Sequence, residues 1–227
     1  MASIGAAEVR VYRRLRVSVL ATGDELVEVG QPLAVGQIYN SNAPLLVALL
    51  RQLGCELVTI AQVPDQPDIL KQALLAAAQT SDLILTSGGA SVGDADHLKP
   101  VLQHIGAIEQ WKVAIKPGKP LVWGRVDSAE VSTPLIGLPG NPQSVWVTFL
   151  VLALPYIKRY QGQTEQLQPI SIPVAAGFSR TKPQNRTEYL RVRLQDGQLI
   201  PHANQSSGVL SSAVWADGFA VIDIGQT

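Results

Sequence analysis

Four stretches of this chain place small, glycine-rich or acidic residues directly after apolar runs: Thr22-Gly23-Asp24-Glu25, Pro64-Asp65, Ser87-Gly88-Gly89 and Pro139-Gly140-Asn141-Pro142. Glycine lets the backbone approach a ligand closely, and exposed amides ahead of a helix favour phosphate or another oxyanion. Gly88 and Gly89 fit that description, although turn geometry alone would also select them. No glycine-rich loop ends in Gly-Lys-Ser/Thr, which excludes a Walker A phosphate loop. Glu25, Asp65, Asp94 and Asp96 bring hard carboxylate oxygens to the same places, a donor set suited to Mg²⁺ with part of its water shell retained. The competing interpretation makes Asp24 and Asp96 helix caps and leaves Asp65 solvated. Lys112 and Lys116 are four apart on a run read as extended, so both side chains leave one face, and Lys119 follows the Pro-Gly turn. That arrangement could hold an anion; a strand with one polar face is the alternative. His97, His104 and His202 lack metal-ligand spacing, and no serine or cysteine sits in a nucleophile motif.

These loops need elements to place them. From Arg16 the chain alternates an apolar run, Val17 to Ala21, with a helical pattern from Ala43 to Leu53, capped by Ser41 and Asn42 and stopped by Gly54. A strand from Leu57 to Val63 precedes a helix opened by Pro67, with Ile69, Leu70, Ala73, Leu74 and Ala77 at helical spacing. Next come a strand, Leu83 to Thr86, and a helix from about Asp96 to Ile105 that ends at Gly106. Extended runs Trp111 to Ile115 and Leu121 to Val126, joined by Lys116-Pro117-Gly118-Lys119, lead to a run Pro134 to Leu138 and a buried helix from about Pro142 to Tyr160. Strands of nearly continuous Val, Ile and Leu alternating with helices predict a three-layer α/β domain, a mostly parallel sheet with helices on both faces. Ligands of such sheets bind outside the carboxyl ends of the strands.

After Gly162 the pattern changes. Pro169, Pro173, Gly177 and Pro183 punctuate short β-rich runs, Ile170 to Val174, Tyr189 to Leu194 and Phe219 to Ile224, without helices, which predicts a small all-β, barrel-like domain. The expected organisation is a lead-in over 1–15, the α/β domain over 16–162 and the β domain over 163–227.

Composition narrows the function classes. With 227 residues, 46% hydrophobic and 16% charged, and 18 basic residues balanced by 18 acidic ones, the chain can bury a substantial core and gives no global reason to bind nucleic acid. The lone Cys55 forms no internal disulfide and reads as a small core residue. The longest apolar run, Val145 to Ile157, is shorter than the roughly 20 residues of a membrane span, and Met1 to Val9 lacks a signal-peptide core. A cytoplasmic location without membrane contact is expected.

Five motifs occur in order: Thr22-Gly23-Asp24-Glu25-Leu26, Gly36-Gln37-Ile38-Tyr39-Asn40-Ser41-Asn42, Ser87-Gly88-Gly89-Ala90-Ser91-Val92-Gly93-Asp94-Ala95-Asp96, Trp111-Lys112-Val113-Ala114-Ile115-Lys116-Pro117-Gly118-Lys119-Pro120 and Gly137-Leu138-Pro139-Gly140-Asn141-Pro142. Together they resemble the molybdopterin molybdenumtransferases, the MoeA and gephyrin E-domain family. The resemblance implies the last step of molybdenum cofactor synthesis, in which molybdate enters the dithiolene of adenylylated molybdopterin and Mg²⁺ aids release of AMP. It implies that Glu25, Asp65, Asp96, Lys112 and Lys116 are catalytic, with Glu25 and Asp96 as metal ligands. The acids would handle Mg²⁺ and the phosphoanhydride; the lysines would hold molybdate or phosphate and offset developing charge. Thr22, Gly23, Ser87, Gly88, Gly89, Asp94, Lys119, Pro139, Gly140 and Asn141 belong to the same motifs as binding residues. In the β domain, the short matches Asn185-Arg186 and Gln205-Ser206-Ser207 resemble family segments that reach the same cleft. Arg186 would pair with an oxyanion there and Ser207 would donate a hydroxyl hydrogen bond.

One departure bears on activity. Full-length members carry, before the position of Val9, an elongated segment and a second small domain that contribute to the dimer and to the partner's active site, and nothing here corresponds to them. The chain is an excised piece, a natural short form or a product of an internal start, and its activity alone is open. The family's homodimer would then be weakened to a weak dimer or monomer, and contact with the pathway's adenylyltransferase is a further expectation. Two other functions stay open. One is that adenylyltransferase activity itself, against which stand the continuation Ala90 to Asp96 and the appended β domain. The other is a non-catalytic molybdopterin-binding or scaffold module, against which stand the retained Glu25, Asp96, Lys112 and Lys116.

Overall fold

The computed structural model describes residues 2–89 and 97–226. Along the chain run β1 (Arg16–Thr22), β2 (Leu26–Val27), β3 (Ile38–Tyr39), α1 (Asn42–Gln52), β4 (Glu56–Val63), α2 (Pro67–Thr80), β5 (Leu83–Ser87) and α3 (Leu98–Ile105). They are followed by β6 (Gly106–Trp111), β7 (Ile115–Lys116), β8 (Val122–Asp127), β9 (Ser132–Leu138) and α4 (Pro142–Thr148). A π-helical turn, Phe149–Ala153, joins α4 to α5 (Leu154–Tyr160), and β10 (Ala175–Ala176), β11 (Thr187–Gln195), β12 (Gln198–Pro201), α6 (Ser211–Trp215) and β13 (Gly218–Ile222) complete the chain.

A six-stranded sheet in the order β4-β1-β5-β9-β8-β6 forms the middle layer. β4, β1, β5 and β9 are mutually parallel, and β8 and β6 add antiparallel pairs. Because successive strand residues face opposite sides, each strand feeds two cores. Val17, Val19, Leu83, Leu85, Ile136 and Leu138 pack with Leu46 and Leu50 of α1 and with Val145, Phe149 and Ile157 of α4, the π turn and α5. Leu20, Ile84, Val122, Val126 and Leu135 pack with Leu70 and Leu74 of α2 and Leu98 and Leu102 of α3. Each fully buried Val, Leu or Ile contributes about 1.5–3 kcal/mol of apolar transfer free energy. The three-layer α/β expectation is met, and no helix among the described residues is long and apolar enough to cross a membrane. Cys55 lies in the first core, where burial pushes its thiol up to about 11.

The second sheet has five strands, in the order β10-β12-β11-β13, with β7 paired to β11. Several local expectations are corrected. Trp111 to Ile115 is not one extended run: Lys112 has φ 67, its amide donates to the Leu121 carbonyl (2.9 Å), and Ile115 and Lys116 pair with Thr187 and Glu188 of the second sheet. Lys112 and Lys116 therefore do not share one strand face. Ile170 to Val174 forms no strand, since pairing begins at Ala175, and α6 places a short helix where none was expected. Ser41 makes no side-chain cap; the Ala43 amide donates instead to Asn40 Oδ1 at 3.1 Å. Gly106 both ends α3 and opens β6, where a Cβ would lie 1.9 Å from the Arg125 carbonyl oxygen.

At the amino edge of the main sheet, Asp82 precedes β5 and accepts hydrogen bonds from the Arg13 and Arg16 side chains and from the Arg16 amide. Burial pushes the Asp82 carboxyl up, but the two arginines outweigh it and hold it well below the usual carboxylate range. This clamp ties the lead-in to the sheet.

Candidate functional site

The parallel registers Thr22 to Val63, Ala21 to Ser87 and Ser87 to Leu138 align the carboxyl ends of β1, β4, β5 and β9. Four of the loops singled out in the sequence therefore emerge at one edge. Gly88 (φ +91) and Gly89 (φ +63) sit against Thr22: a Cβ on Gly88 would lie 2.3 Å from the Thr22 carbonyl oxygen, and one on Gly89 would lie 3.0 Å from Thr22 Oγ1. Positive φ and close approach together require glycine at both positions. Asn42 Nδ2 donates to Ser87 Oγ (2.8 Å) and to the Gly140 carbonyl (2.6 Å), which holds the β5 and β9 loops together. Thr22 Oγ1 and Asn42 Oδ1 are buried and have no hydrogen-bond partner among the described residues, so this floor keeps unused polar capacity under the glycines.

Acidic groups flank the floor. The Asp65 amide donates to Asp24 Oδ1 at 3.0 Å. Burial raises the Asp65 carboxyl above its ordinary range, and the Asp24 and Glu25 charges push it the same way, against a hydrogen bond from the Asp24 backbone and the nearby His97. Glu25 is exposed and folds back toward Gly23, whose Cβ would lie 2.7 Å from Glu25 Oε2. An open cavity of ≈ 420 Å³ beside these acids is lined by Gly23, Asp24, Glu28, Gln31, Gln62 and Pro64. Among the described residues no three His, Cys, Asp or Glu side chains gather into a metal cage. Exposed carboxylate oxygens without a cage fit Mg²⁺, which keeps several waters and takes one or two carboxylates plus substrate phosphates.

A second cavity, of ≈ 430 Å³, lies where the two sheets meet. Its lining brings together Lys116 at the end of β7, Lys119 from the loop after it, Arg186 ahead of β11, Ser207 from the loop after β12, and Ser144 of α4. Pairing of β7 with β11 places Lys116 and Glu188 in register, and Lys116 Nζ lies 2.9 Å from Glu188 Oε1. Arg180 pairs with the other oxygen of Glu188. Burial pushes the Glu188 carboxyl up, but the Lys116 and Arg180 pairs outweigh it and hold it below its ordinary range. The Lys116 side chain remains 45% exposed and available to a ligand. Gly118 packs under this loop, where a Cβ would lie 2.6 Å from Thr148 Cγ2 of α4. The Gln143 amide donates to the Ser207 carbonyl (3.0 Å), which joins the helix after the β9 loop to the Ser207 loop.

Sequence-derived candidates thus fall into two groups. Thr22, Gly23, Glu25, Asp65, Ser87, Gly88, Gly89, Pro139, Gly140 and Asn141 lie at the strand edge; Lys116, Lys119, Arg186 and Ser207 share the second cavity. Lys112 is half-buried at the end of β6 and does not line that cavity. Asp94 and Asp96 lie outside the described residues. Sequence reasoning missed Glu188, Arg180, Arg191, Gln143 and Asn42. Only Glu188 carried a usable sign, a lone acid in an otherwise apolar and basic strand.

Comparison with known proteins finds relatives along nearly the whole chain. The family described as "Probable molybdopterin binding domain" matches residues 18–159, and the one described as "MoeA C-terminal region (domain IV)" matches residues 173–227. A molybdopterin molybdenumtransferase of Haemophilus influenzae is 44% identical over 84% of this chain and 46% of its own length. Another, from a Nostoc species, is 35% identical over 100% of this chain and 53% of its own. A solved molybdopterin biosynthesis MoeA protein from a Pyrococcus species superposes with a TM-score of 0.73 at 30% identity, over 92% of this chain and 50% of that one. The chain spans about half the length of the curated relatives it matches. It belongs to the molybdopterin-binding domain family, in its MoeA branch.

Proposed function

We propose that the chain forms the molybdopterin- and molybdate-handling part of a molybdenumtransferase, which inserts molybdate into the dithiolene of adenylylated molybdopterin with release of AMP. The observation that carries this reading is the cavity at the junction of the sheets, where Lys116, Lys119 and Arg186 converge with the Ser207 hydroxyl beside the strand-edge loops. Three cations and a hydroxyl suit a tetrahedral oxyanion, because charge-assisted hydrogen bonds are the strong ones and arginine's planar fork can engage two oxygens. The names of the relatives support molybdopterin chemistry over other oxyanion ligands. Within this proposal 16–162 acts as the binding domain and 163–227 completes its pocket.

The strand edge receives the pterin nucleotide. Gly88 and Gly89 admit its phosphates to the backbone. Gly140 and Asn141, in the loop after β9, belong to the same edge. Glu25, with Asp96, would hold Mg²⁺, which when bound neutralises phosphate charge as AMP departs. Lys116, Lys119 and Arg186 hold molybdate's negative charge and Ser207 donates to one of its oxygens. Lys112, which follows β6, would offset charge on the departing nucleotide. Asp65, whose carboxyl burial raises above its ordinary range, stands with Glu25 at the edge that handles Mg²⁺ and the phosphoanhydride.

Titrating adenylylated molybdopterin in Mg²⁺ into the chain and its Glu25→Gln and Lys112→Ala variants tests this reading. Saturable binding, weakened about tenfold by each substitution, is expected. A folded wild-type chain that binds none of the ligand would sink it.

A further inference from the structure

Arg191, 1% exposed, is the largest fully buried side chain among the described residues, and none of its hydrogen bonds there goes to a carboxylate. Its guanidinium donates to the carbonyls of Asn204 (3.5 Å) and Ser206 (3.1 Å) and to Ser212 Oγ (3.2 Å). The backbone is clamped as well: its amide donates to Gln205 Oε1 (3.1 Å) and its carbonyl accepts from Gln205 Nε2 (2.9 Å). From the opposite side, Gln143 Nε2 donates to the Val209 carbonyl (2.8 Å) and to Ser212 Oγ (3.1 Å). The segment from Asn204 to Ser212 is thus gripped by one strand residue of the second sheet and one helix residue of the first.

A buried charge is expensive, and the hydrogen bonds of this one go to two loop carbonyls and the Ser212 hydroxyl. A fork that satisfies several acceptors in fixed geometry is what guanidinium supplies and ammonium does not. We infer that Arg191 is a positioning residue: by gripping the Asn204 to Ser206 backbone it sets Ser207 at the distance from Lys116 and Arg186 that an oxyanion requires. The inference deepens the proposed function, and it rests on reading the cavity as an oxyanion site.

The test is titration of sodium molybdate and inorganic phosphate into the wild-type chain and into Arg191→Lys, Ser212→Ala, Ser207→Ala and the Arg191→Lys/Ser207→Ala double variant. Hydrogen exchange across 204–212 is followed in parallel. Arg191→Lys should weaken oxyanion binding about tenfold, as Ser207→Ala does, and the double variant should be no weaker than either single one, because both act through the same hydroxyl. Segment 204–212 should lose protection while β11 and β13 keep theirs. Ser212→Ala, which removes one acceptor and leaves the charge in place, should give a smaller loss of the same kind and covers the case in which Arg191→Lys fails to fold. Wild-type-like binding by folded Arg191→Lys, or losses that add in the double variant, would overturn the inference alone. A folded wild-type chain that binds neither oxyanion would overturn the inference together with the reading beneath it.

Discussion

Two buried carboxylates in this protein are each held by two cations, and they serve different ends. Asp82, at the amino edge of the main sheet, is gripped by Arg13 and Arg16 and also caps the Arg16 amide. Glu188, where the two sheets meet, is gripped by Lys116 and Arg180. In both, ion pairing outweighs burial and holds the carboxyl below its ordinary range. The difference lies in what surrounds the cations. Arg13 and Arg16 face the carboxylate from a solvent-exposed edge, so that clamp acts as a fastener. Lys116 opens onto a cavity shared with Lys119, Arg186 and Ser207, so in the proposed function the second clamp also aims a cation at a ligand. The same charge arithmetic makes a staple in one place and, in that proposal, prepares a binding site in the other.

Substitutions of the cations should separate the two clamps most widely. Lys116→Met is expected to weaken molybdate binding about 30-fold or more, the loss of a charge-assisted contact, whereas Arg13→Met leaves it unchanged; calorimetric titration reads both. Substitutions of the acids come next in size. Asp82→Asn should lower unfolding stability by about 2 kcal/mol in chemical denaturation, the screened value for a buried acceptor whose partners stay exposed, without altering molybdate affinity. Glu188→Gln should instead tighten molybdate binding about fivefold, since it removes a negative charge from an anion pocket. If Asp82→Asn changed oxyanion affinity as much as Glu188→Gln does, the division between staple and site would fail.

Acid titration sharpens the contrast further. Both clamped carboxyls lie below their unfolded values, so each stabilises the fold above about pH 4, and that stabilisation is lost as pH falls through the lower folded value. The stability gap between wild type and Asp82→Asn should therefore narrow below about pH 4. Asp65 has the opposite sign. Its folded value is raised, so its favourable contribution is present in acid and is lost as pH rises through that value. Asp65→Asn should raise stability at pH 7 slightly, by less than about half a kcal/mol after solvent screening, while weakening pterin nucleotide binding. Denaturation at pH 7 and at about pH 2.5 distinguishes the two signs.

The main sheet was legible because its strands and helices follow simple local rules. Val17, Val19, Leu83 and Leu85 form continuous apolar runs, Pro67 opens a helix, and the loops after the strands carry the small residues a ligand edge needs. The junction of the sheets was less legible because it is made by partners far apart in the chain. Nothing in Trp111 to Ile115 signals that Lys112 turns to positive φ and hands Ile115 and Lys116 to another sheet, since a non-glycine residue there is stabilised by tertiary contact. Arg191 reads as an exposed alternating position on a β-strand, yet it is buried because the segment from Asn204 to Ser212 folds over it. Asn42 resembles a helix cap in the sequence, and only the approach of the β5 and β9 loops reveals its two long-range partners. Arg186 and Ser207 came from short motif matches, and their convergence with Lys116 depends on the pairing of β7 with β11.

The central claim is that the second cavity is an oxyanion site built from both sheets. Its most direct test is calorimetric titration of molybdate into the wild-type chain, Arg186→Ala and Asp82→Asn, each checked for folding. One saturable site in wild type and Asp82→Asn, with affinity reduced at least about tenfold in Arg186→Ala, is the expected result. Equal affinity in wild type and folded Arg186→Ala would contradict the claim, because Arg186 lines that cavity and no carboxylate pairs with it among the described residues.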